Sequence, residues 1–99
     1  MVIVWSAPAR QDLRLIHQYI AHDSRRYAAR VVKDITEKVD ILLGAPRLGR
    51  MVPEIGEDAV REIGMYSYRI MYELIADTIY IHAIVHKRRH FQPTGLQRP

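Results

Sequence analysis

The strongest constraint on the fold is a change in the spacing of apolar residues, from a helical period before Gly44 to strand-like runs after Val60. In the first half, apolar residues recur three or four positions apart, which places them on one face of a helix. After Val60, three short runs rich in β-branched and aromatic residues follow one another with short links, as antiparallel strands do. The pattern predicts an α+β domain of order β-α-α-β-β-β, with a helix hairpin packed on a small antiparallel-rich sheet.

Two helices are predicted between a short first strand, Val2–Trp5, and the turn residues Gly44 and Pro46. Ser6 precedes the first helical pattern, and Asp23 and Ser24 precede the second; side chains of these types at the start of a helix accept a hydrogen bond from an early backbone N–H. The apolar stripes are Leu13, Ile16 and Ile20 in the first helix and Ala28, Val31, Ile35, Val39 and Leu42 in the second. Because the link between the helices is short, they are expected to form an antiparallel hairpin.

The second half is predicted to be a loop over residues 46–58 followed by three strands. These strands are Val60–Ile63, Tyr68–Leu74 and Thr78–Val85. Alternation along the last strand assigns to one face Ile79, Ile81, Ala83 and Val85. The sequence leaves open which of these strands the first strand pairs with. Residues 1–91 are expected to form one domain, and residues 92–99, with two prolines and a glycine, a mobile tail.

The composition favours a globular protein with an anionic partner. The 99 residues are 48% apolar and carry a formal net charge of +4, which suits either nucleic acid or an acidic protein segment. The chain has no cysteine, so disulfides and thiol chemistry are excluded. The apolar run Val2–Trp5 is far shorter than the ~20 residues of a membrane-spanning helix. We therefore expect a cytoplasmic protein that has no membrane partner.

Basic residues accompany the strands in the second half of the chain. Arg61 lies in the first of these strands and Arg69 in the second, and the run 86–90 contains three cations and two histidines. Cations on successive strands can build a basic surface for a polyanion. The alternative for Arg69 is an ion pair with Glu62 on the neighbouring strand. The alternative for the run 86–90 is a solvated strand end.

Several other side chains have a functional and a structural interpretation. His86 and His90 follow a strand and have no third ligand nearby, so neither a metal site nor a cofactor is predicted. Glu54 is either a general base of a nuclease or a solvated loop carboxylate. The tyrosines 19, 27 and 72 are expected to pack against the helix hairpin rather than to stack on nucleic-acid bases.

The chain resembles RelE/ParE-family toxins of type II toxin–antitoxin systems from Trp5 to Phe91. The matching residues, in order, are Trp5-Ser6, Ala9, Asp12-Leu13, Ile16, Tyr19-Ile20-Ala21, Leu42-Leu43, Pro46, Gly49-Arg50, Val52-Pro53-Glu54, Arg61-Glu62, Tyr68-Arg69-Ile70-Met71-Tyr72 and Ile84-Val85-His86-Lys87-Arg88. The resemblance implies a small growth-inhibiting toxin that a labile antitoxin, encoded beside it, holds inactive in a hetero-oligomer.

The resemblance leaves two activities open. ParE-like toxins poison DNA gyrase, whereas RelE-like toxins cut mRNA in the ribosomal A site. In the gyrase interpretation the residues that contact the target are Arg61, Arg69, His86, Lys87 and Arg88. In the nuclease interpretation the catalytic residues are Arg69 and Arg89, which hold the phosphate, with His86 or His90 moving protons. A third interpretation is a degenerate toxin that only binds its antitoxin.

Two departures from the RelE-like pattern favour the ParE-like branch. RelE-like toxins carry a lysine pair on the strand before the arginine strand, but Arg61 is the only cation in Val60–Ile63. Their catalytic tyrosine near the C-terminus is missing too, since no tyrosine follows Tyr80. The residues 86–88 resemble instead the strand end of ParE-like toxins. Histidines titrate near neutrality and can replace an acid–base group, so the nuclease remains the alternative.

Overall fold

The predicted α+β class is confirmed by the computed structural model, which describes residues 1–89, 91–93, 96 and 98. The elements are β1 (Val2–Trp5), α1 (Ala7–Ala21), α2 (Arg25–Asp40), β2 (Arg50–Met51), β3 (Val60–Met65), β4 (Tyr68–Ile75) and β5 (Thr78–His86), with a 3₁₀ turn at Ile41–Leu43. The strand β2 is an addition, because it lies inside the segment predicted to be a loop. In the described part of the chain, no helix is long and apolar enough to cross a membrane.

Both helices begin after a serine, and of the two candidates for the second helix it is Ser24 rather than Asp23 whose side chain makes the capping bond. The Ser6 hydroxyl accepts a hydrogen bond from the backbone N–H of Ala9 at 3.1 Å, and the Ser24 hydroxyl accepts one from the N–H of Tyr27 at 3.1 Å. Each bond satisfies one of the N–H groups that the first turn of a helix leaves free. The hairpin therefore starts and reverses at defined residues, which sets its position over the sheet.

The five strands form one mixed sheet in the order β1-β5-β4-β3-β2. The first strand pairs in parallel with β5, whereas the other neighbours are antiparallel. A parallel pair needs a long connection, and the helix hairpin forms part of that connection. The N-terminal strand therefore lies at one edge of the sheet and β2 at the other.

Apolar side chains pack on both faces of the sheet. The inner face, which we define as the one toward the helices, carries the main core: Ala9, Ile16, Val31, Ile35, Val39, Leu42, Ile63, Ile70, Tyr72, Ile79, Ile81 and Ile84. A smaller cluster covers the opposite, outer face: Val52, Val60, Met71, Val85 and Leu96. The outer face thus has a buried apolar centre of its own, although none of the described helices covers it.

A bulge in β5 changes which side chains share a face. Tyr72 of β4 pairs with Ile81, but the preceding residue of β4 pairs with Ala83, so His82 is an extra residue in β5. Strict alternation assumes uniform pairing, and a bulge breaks it. The predicted single face for β5 is therefore wrong beyond Ile81, because Ala83 and Val85 pack in the outer cluster rather than in the main core.

Part of the C-terminal segment packs on the outer face. Leu96 is only 8% exposed and belongs to the outer cluster, and the Arg98 guanidinium donates hydrogen bonds to Glu73. Of the residues predicted to form a mobile tail, 94, 95, 97 and 99 lie outside the described residues. The mobility of the segment and the domain limits 1–91 stay predictions.

Candidate functional site

Arg69 on the outer face of β4 is paired with two carboxylates. Its Nε donates to Glu62 Oε2, and its Nη1 and Nη2 donate to the two carboxylate oxygens of Glu54 at 2.8 Å each. The ion pair with Glu62 considered from the sequence is therefore present, and Glu54, although exposed, is ion-paired as well. The hydrogen bonds from Arg69 lower the pKa of Glu54 to about 2, because they stabilise its charged form.

The pairing of Arg69 extends into a four-residue network. Glu62 is 4% exposed and also accepts a hydrogen bond from Arg50 Nε at 2.8 Å. A buried carboxylate is stable only when it is paired, and the two arginines supply that pairing. With two cations and two carboxylates the network is neutral. The ring of Phe91 lies 5.8 Å from the Arg69 guanidinium carbon and covers it further.

Arg61 is held in a different place from Arg69. Arg61 pairs in register with Tyr72, whose side chain lies in the inner core, so its side chain leaves β3 on the inner side. Its Nη1 donates to the carbonyl of Gly49 at 2.7 Å and its Nη2 to Asp58 at 2.8 Å. Arg61 therefore ties the residue before β2 to the end of the loop that leads into β3, and the structure does not bring it next to Arg69.

The basic run after β5 divides between the two faces. Lys87 extends over Gly64 and lines the same outer depression as Arg69. His86 instead packs edge-on against Tyr68, with ring centroids 5.6 Å apart, and lines a groove on the inner side together with Arg89. Arg88 is exposed and lies between Lys87 and Arg89 in the turn after β5. His90 lies outside the described residues.

A groove of about 490 Å³ separates the helix hairpin from the ends of β4 and β5. We call it the tyrosine groove; its lining includes Asp12, Leu15, Tyr19, Tyr27, Tyr66, His86 and Arg89. Tyr19 is 80% exposed and Tyr27 is 50% exposed, so the expectation that these two pack against the hairpin is wrong. The prediction holds only for Tyr72, which is fully buried. Exposed aromatic rings are common at protein–protein interfaces.

Asp12 lies in this groove; from the sequence it was named only among the family-matching residues, without a role. Its carboxylate accepts a hydrogen bond from the backbone N–H of Ile84 at 3.0 Å, and so joins α1 to β5. Burial raises the pKa of Asp12, while that hydrogen bond and the nearby Arg89 oppose the change. In the sequence, only the match of Asp12-Leu13 to the family pattern marked this residue.

The turn between β3 and β4 is fastened to the second helix. Tyr66 has a positive φ of 55°, and its hydroxyl donates a hydrogen bond to the carboxylate of Asp34. Its ring meets that of Tyr27 edge-on at 6.3 Å. One wall of the tyrosine groove is therefore held in position by contacts between α2 and the turn.

Within the described part of the chain, no group of three or more metal-ligating side chains could hold a metal ion.

Comparison with known proteins decides the family. The family model described as "ParE toxin of type II toxin-antitoxin system, parDE" matches residues 3–91. The chain belongs to the ParE toxin family. This match confirms the predicted RelE/ParE resemblance and its ParE-like branch, and it extends to Phe91.

The fold of this ParE-family chain also has a solved counterpart. A chain of the structure titled "Chromosomal ParDE TA system from P. aeruginosa" superimposes with a TM-score of 0.71 and is 24% identical. The alignment covers 87% of this chain and 95% of that chain. At this identity the similarity shows a shared fold. No curated protein sequence gives a significant match.

Proposed function

We propose that this ParE-family toxin acts in the cytoplasm by binding DNA gyrase and trapping it, without chemistry of its own. The observation that carries the proposal is the pairing of Arg69 with Glu54 and Glu62. A RelE-like nuclease needs free cations where negative charge develops on the scissile phosphate. Here the matching arginine is neutralised by two carboxylates, which repel a phosphate. A surface that binds a protein does not need a free cation at this position.

The separation of the candidate nuclease residues gives further support. Arg69 lies on the outer face, whereas His86 and Arg89 line the tyrosine groove on the inner side. General acid–base catalysis needs its groups within hydrogen-bonding reach of one reacting centre. The division of three of the four candidate residues between two faces of the sheet therefore supports a binding inhibitor over a nuclease.

In the gyrase proposal the target contacts are the exposed cations at the end of β5. Lys87 and Arg88 form no ion pair with a described carboxylate, and both are exposed. His86 adjoins them on the same turn, where its Nδ1 accepts a hydrogen bond from the N–H of Arg88 at 3.1 Å. Free charges at the rim of an interface steer association and fix orientation. Arg61 and Arg69 then act by holding the loop and the outer face in shape, or as contacts after rearrangement.

The decisive experiment exposes two targets to the same purified chain. With gyrase and supercoiled plasmid we expect gyrase-cleaved DNA to accumulate, and with ribosomes and mRNA we expect no cleavage. Ribosome-dependent cleavage without a gyrase–DNA adduct would overturn the proposal. The double variant His86→Gln with His90→Gln sharpens the test. Glutamine still forms hydrogen bonds but cannot move a proton at neutral pH, so a nuclease would be abolished and a binding inhibitor only weakened.

We further propose that an antitoxin neutralises the toxin by filling the tyrosine groove. Leu15 is 50% exposed there, beside the exposed rings of Tyr19 and Tyr27, so the groove offers apolar surface that a partner can bury. His86 and Arg89 add a basic rim that suits an apolar, partly acidic segment. A segment that folds on binding loses conformational entropy, which only a large and partly apolar interface offsets.

A matched pair of variants tests the antitoxin proposal. Leu15→Glu places a charge in the groove, whereas Leu43→Glu places one at a residue that is 46% exposed but outside the groove. We expect a co-expressed antitoxin to be retained by the wild type and the Leu43 variant and lost by the Leu15 variant. If the Leu15 variant retained the antitoxin as well as the wild type does, the partner would bind elsewhere.

A further inference from the structure

The tyrosine groove borders a second cavity of about 340 Å³ on the side of α2. Tyr27 and Tyr66 line both cavities, so the two meet at these rings. The second cavity adds Arg26 and Arg30, which lie in the first turns of α2. We call the combined surface the extended groove. It runs from these arginines, past the tyrosine rings, to the end of β5.

Three tyrosine rings of the extended groove are open to solvent. Tyr19 is 80% exposed, Tyr27 is 50% exposed and Tyr66 is 41% exposed. The rings of Tyr27 and Tyr66 meet edge-on, with an angle of 86° between their planes, so they do not stack on each other. Exposed aromatic rings are the surfaces on which the bases of single-stranded nucleic acids stack. Base stacking is therefore open to these tyrosines, whereas packing against the hairpin does not describe them.

Tyr66 is held in its exposed position by the fold. Its φ of 55° is uncommon for a residue other than glycine, and its hydroxyl donates to Asp34 of α2. Residues in such conformations persist where the surrounding contacts enforce them, and they are concentrated at functional sites. The turn between β3 and β4 thus fixes an exposed aromatic ring at the junction of the two cavities.

Arginines lie at both ends of the extended groove. Arg26 and Arg30 line one end, and Arg89 lines the other beside His86. Arg26 and Arg89 are exposed, and no described carboxylate lies within ion-pair distance of either. Arg30 reaches Asp34 only at 3.8 Å. These guanidinium groups are therefore available to an anionic ligand.

Two carboxylates lie at the walls of the extended groove, and both already accept a hydrogen bond. Asp34 accepts one from the Tyr66 hydroxyl, and Asp12 accepts one from the backbone N–H of Ile84. The three arginines outnumber these carboxylates, so positive charge is in excess here, in contrast to the neutral network around Arg69. A surface with such an excess attracts a polyanion.

We propose that the extended groove binds single-stranded DNA, with bases stacked on Tyr19, Tyr27 and Tyr66 and phosphates bound by Arg26 and Arg89. Cations that follow a backbone, with aromatic rings between them, are what binding of a single strand without sequence preference requires. The choice of DNA rests on the proposed gyrase activity, in which the strand comes from the DNA that the trapped enzyme has cleaved. The proposed antitoxin segment fills part of the same groove, so antitoxin and DNA would exclude each other.

Fluorescence anisotropy with a labelled oligothymidylate of about 15 nucleotides tests the inference on the intact chain. We expect the wild type to bind it in a salt-dependent manner. Tyr19→Ala should weaken binding by about fivefold or more, the effect of losing one stacked base, whereas Tyr19→Phe keeps the ring and should bind like the wild type. Arg26→Gln should lower the slope of log K against log salt by about 0.7, as the loss of one phosphate contact does.

The matched charge control is Arg14→Gln. Arg14 is an exposed cation of α1 that lines a separate cavity beside Trp5, so its loss should leave the salt slope unchanged. Circular dichroism verifies that each variant is folded. The inference is wrong if the folded wild type does not bind the oligonucleotide at low salt, or if Tyr19→Ala and Arg26→Gln bind it like the wild type. Tighter binding of oligouridylate than of oligothymidylate would overturn the assignment to DNA.

Gyrase poisoning and antitoxin retention by the same variants separate this inference from the proposed function. If Tyr19→Ala loses oligonucleotide binding, we expect more of it to be needed for half-maximal accumulation of cleaved DNA. If the oligonucleotide binds as expected but the chain does not poison gyrase, the DNA site stands and the gyrase proposal fails. Equal poisoning by wild type and Tyr19→Ala would show that the site does not contribute to poisoning. Variants that lose the antitoxin but keep full oligonucleotide binding would show a protein-binding groove only.

Discussion

The hydroxyl of Tyr72 accepts a hydrogen bond from the backbone N–H of Gly49 at 3.0 Å. The same hydroxyl donates to the carbonyl of Pro46 at 2.8 Å, so one fully buried side chain of β4 holds both ends of a short turn. Burial is the main cause that raises the pKa of Tyr72. The turn leads directly into Arg50 of the charged network on the outer face. The core and the candidate site are therefore linked through this phenol.

We expect Tyr72→Phe to destabilise the protein by about 1–3 kcal/mol, because it leaves the buried N–H of Gly49 without an acceptor. For a domain of this size each kcal/mol lowers Tm by roughly 4–8 °C. Thermal unfolding followed by circular dichroism measures the change. The control is Tyr19→Phe, which removes a hydroxyl from a residue that is 80% exposed and should leave Tm unchanged. Equal Tm values for the two variants would refute the buried role of the Tyr72 hydroxyl.

Gly49 is required because no side chain fits at its position. A Cβ atom there would lie 2.4 Å from the carbonyl oxygen of Glu62 and 2.8 Å from the Tyr72 hydroxyl. We expect Gly49→Ala to cost about 1–3 kcal/mol in the free energy of unfolding, as overpacking of a tight site does. Gly44→Ala is the matched control, since its nearest neighbour would be 3.9 Å away. Urea denaturation of both variants checks the difference, and a Gly49 variant as stable as the control would contradict it.

The helix hairpin was predictable because its determinants are local. Ser6 and Ser24 act as caps through hydrogen bonds that span only three residues, and apolar spacing identifies the buried face. The strand β2 was missed because it is two residues long, and only its pairing with β3, Arg50 with Glu62 and Met51 with Arg61, makes it a strand. The place of β1 beside β5 likewise depends on long-range pairing, which a single sequence does not contain.

Of the contacts at the candidate site, only those between neighbouring strands could be predicted from the sequence. The pair of Arg69 with Glu62 could be foreseen, because consecutive antiparallel strands bring these residues together. The loop residue Glu54 has no periodic pattern that places it, although it supplies two of the hydrogen bonds to Arg69. The extra residue His82 shifts the faces of β5 and shows no feature in the sequence that marks a bulge.

Because of the charged network on the outer face, we expect the free energy of unfolding to decrease in acid. The hydrogen bonds from Arg69 lower the pKa of Glu54 from its ordinary value of 4.5 to about 2 in the folded protein. A lowered folded pKa stabilises the protein above the unfolded value, and that stability is lost as pH falls from about 4.5 toward 2. We expect Glu54→Gln to be less stable than the wild type at pH 7 and to show a flatter decline over this range.

Urea unfolding at a series of pH values measures how the free energy of unfolding falls in acid. The control is Glu37→Gln, which removes an exposed carboxylate whose partner Lys33 lies on the same helix face at 3.9 Å. Exposed pairs of this kind contribute little, so this variant should follow the wild-type curve. If the Glu54 variant declined as steeply as the wild type between pH 4.5 and 2, the pair with Arg69 would not contribute to the pH dependence.

Arg69 has a structural role that must be separated from any contact with gyrase. Arg69→Leu leaves the buried Glu62 with only Arg50 as a partner, and breaking a buried ion pair in this way costs about 3 kcal/mol. Loss of toxicity in that variant would therefore report unfolding as readily as lost binding. The double variant Arg69→Leu with Glu62→Leu leaves no buried charge, and we expect it to recover most of the stability.

The double variant then shows whether Arg69 contacts the target. If it unfolds like the wild type in urea and still traps cleaved DNA on gyrase, Arg69 only supports the outer face, and the exposed cations Lys87 and Arg88 carry the contact. If it is stable but inactive, Arg69 binds the target after releasing Glu54. A double variant no more stable than Arg69→Leu alone would show that the buried pair with Glu62 is not what Arg69 contributes to the fold.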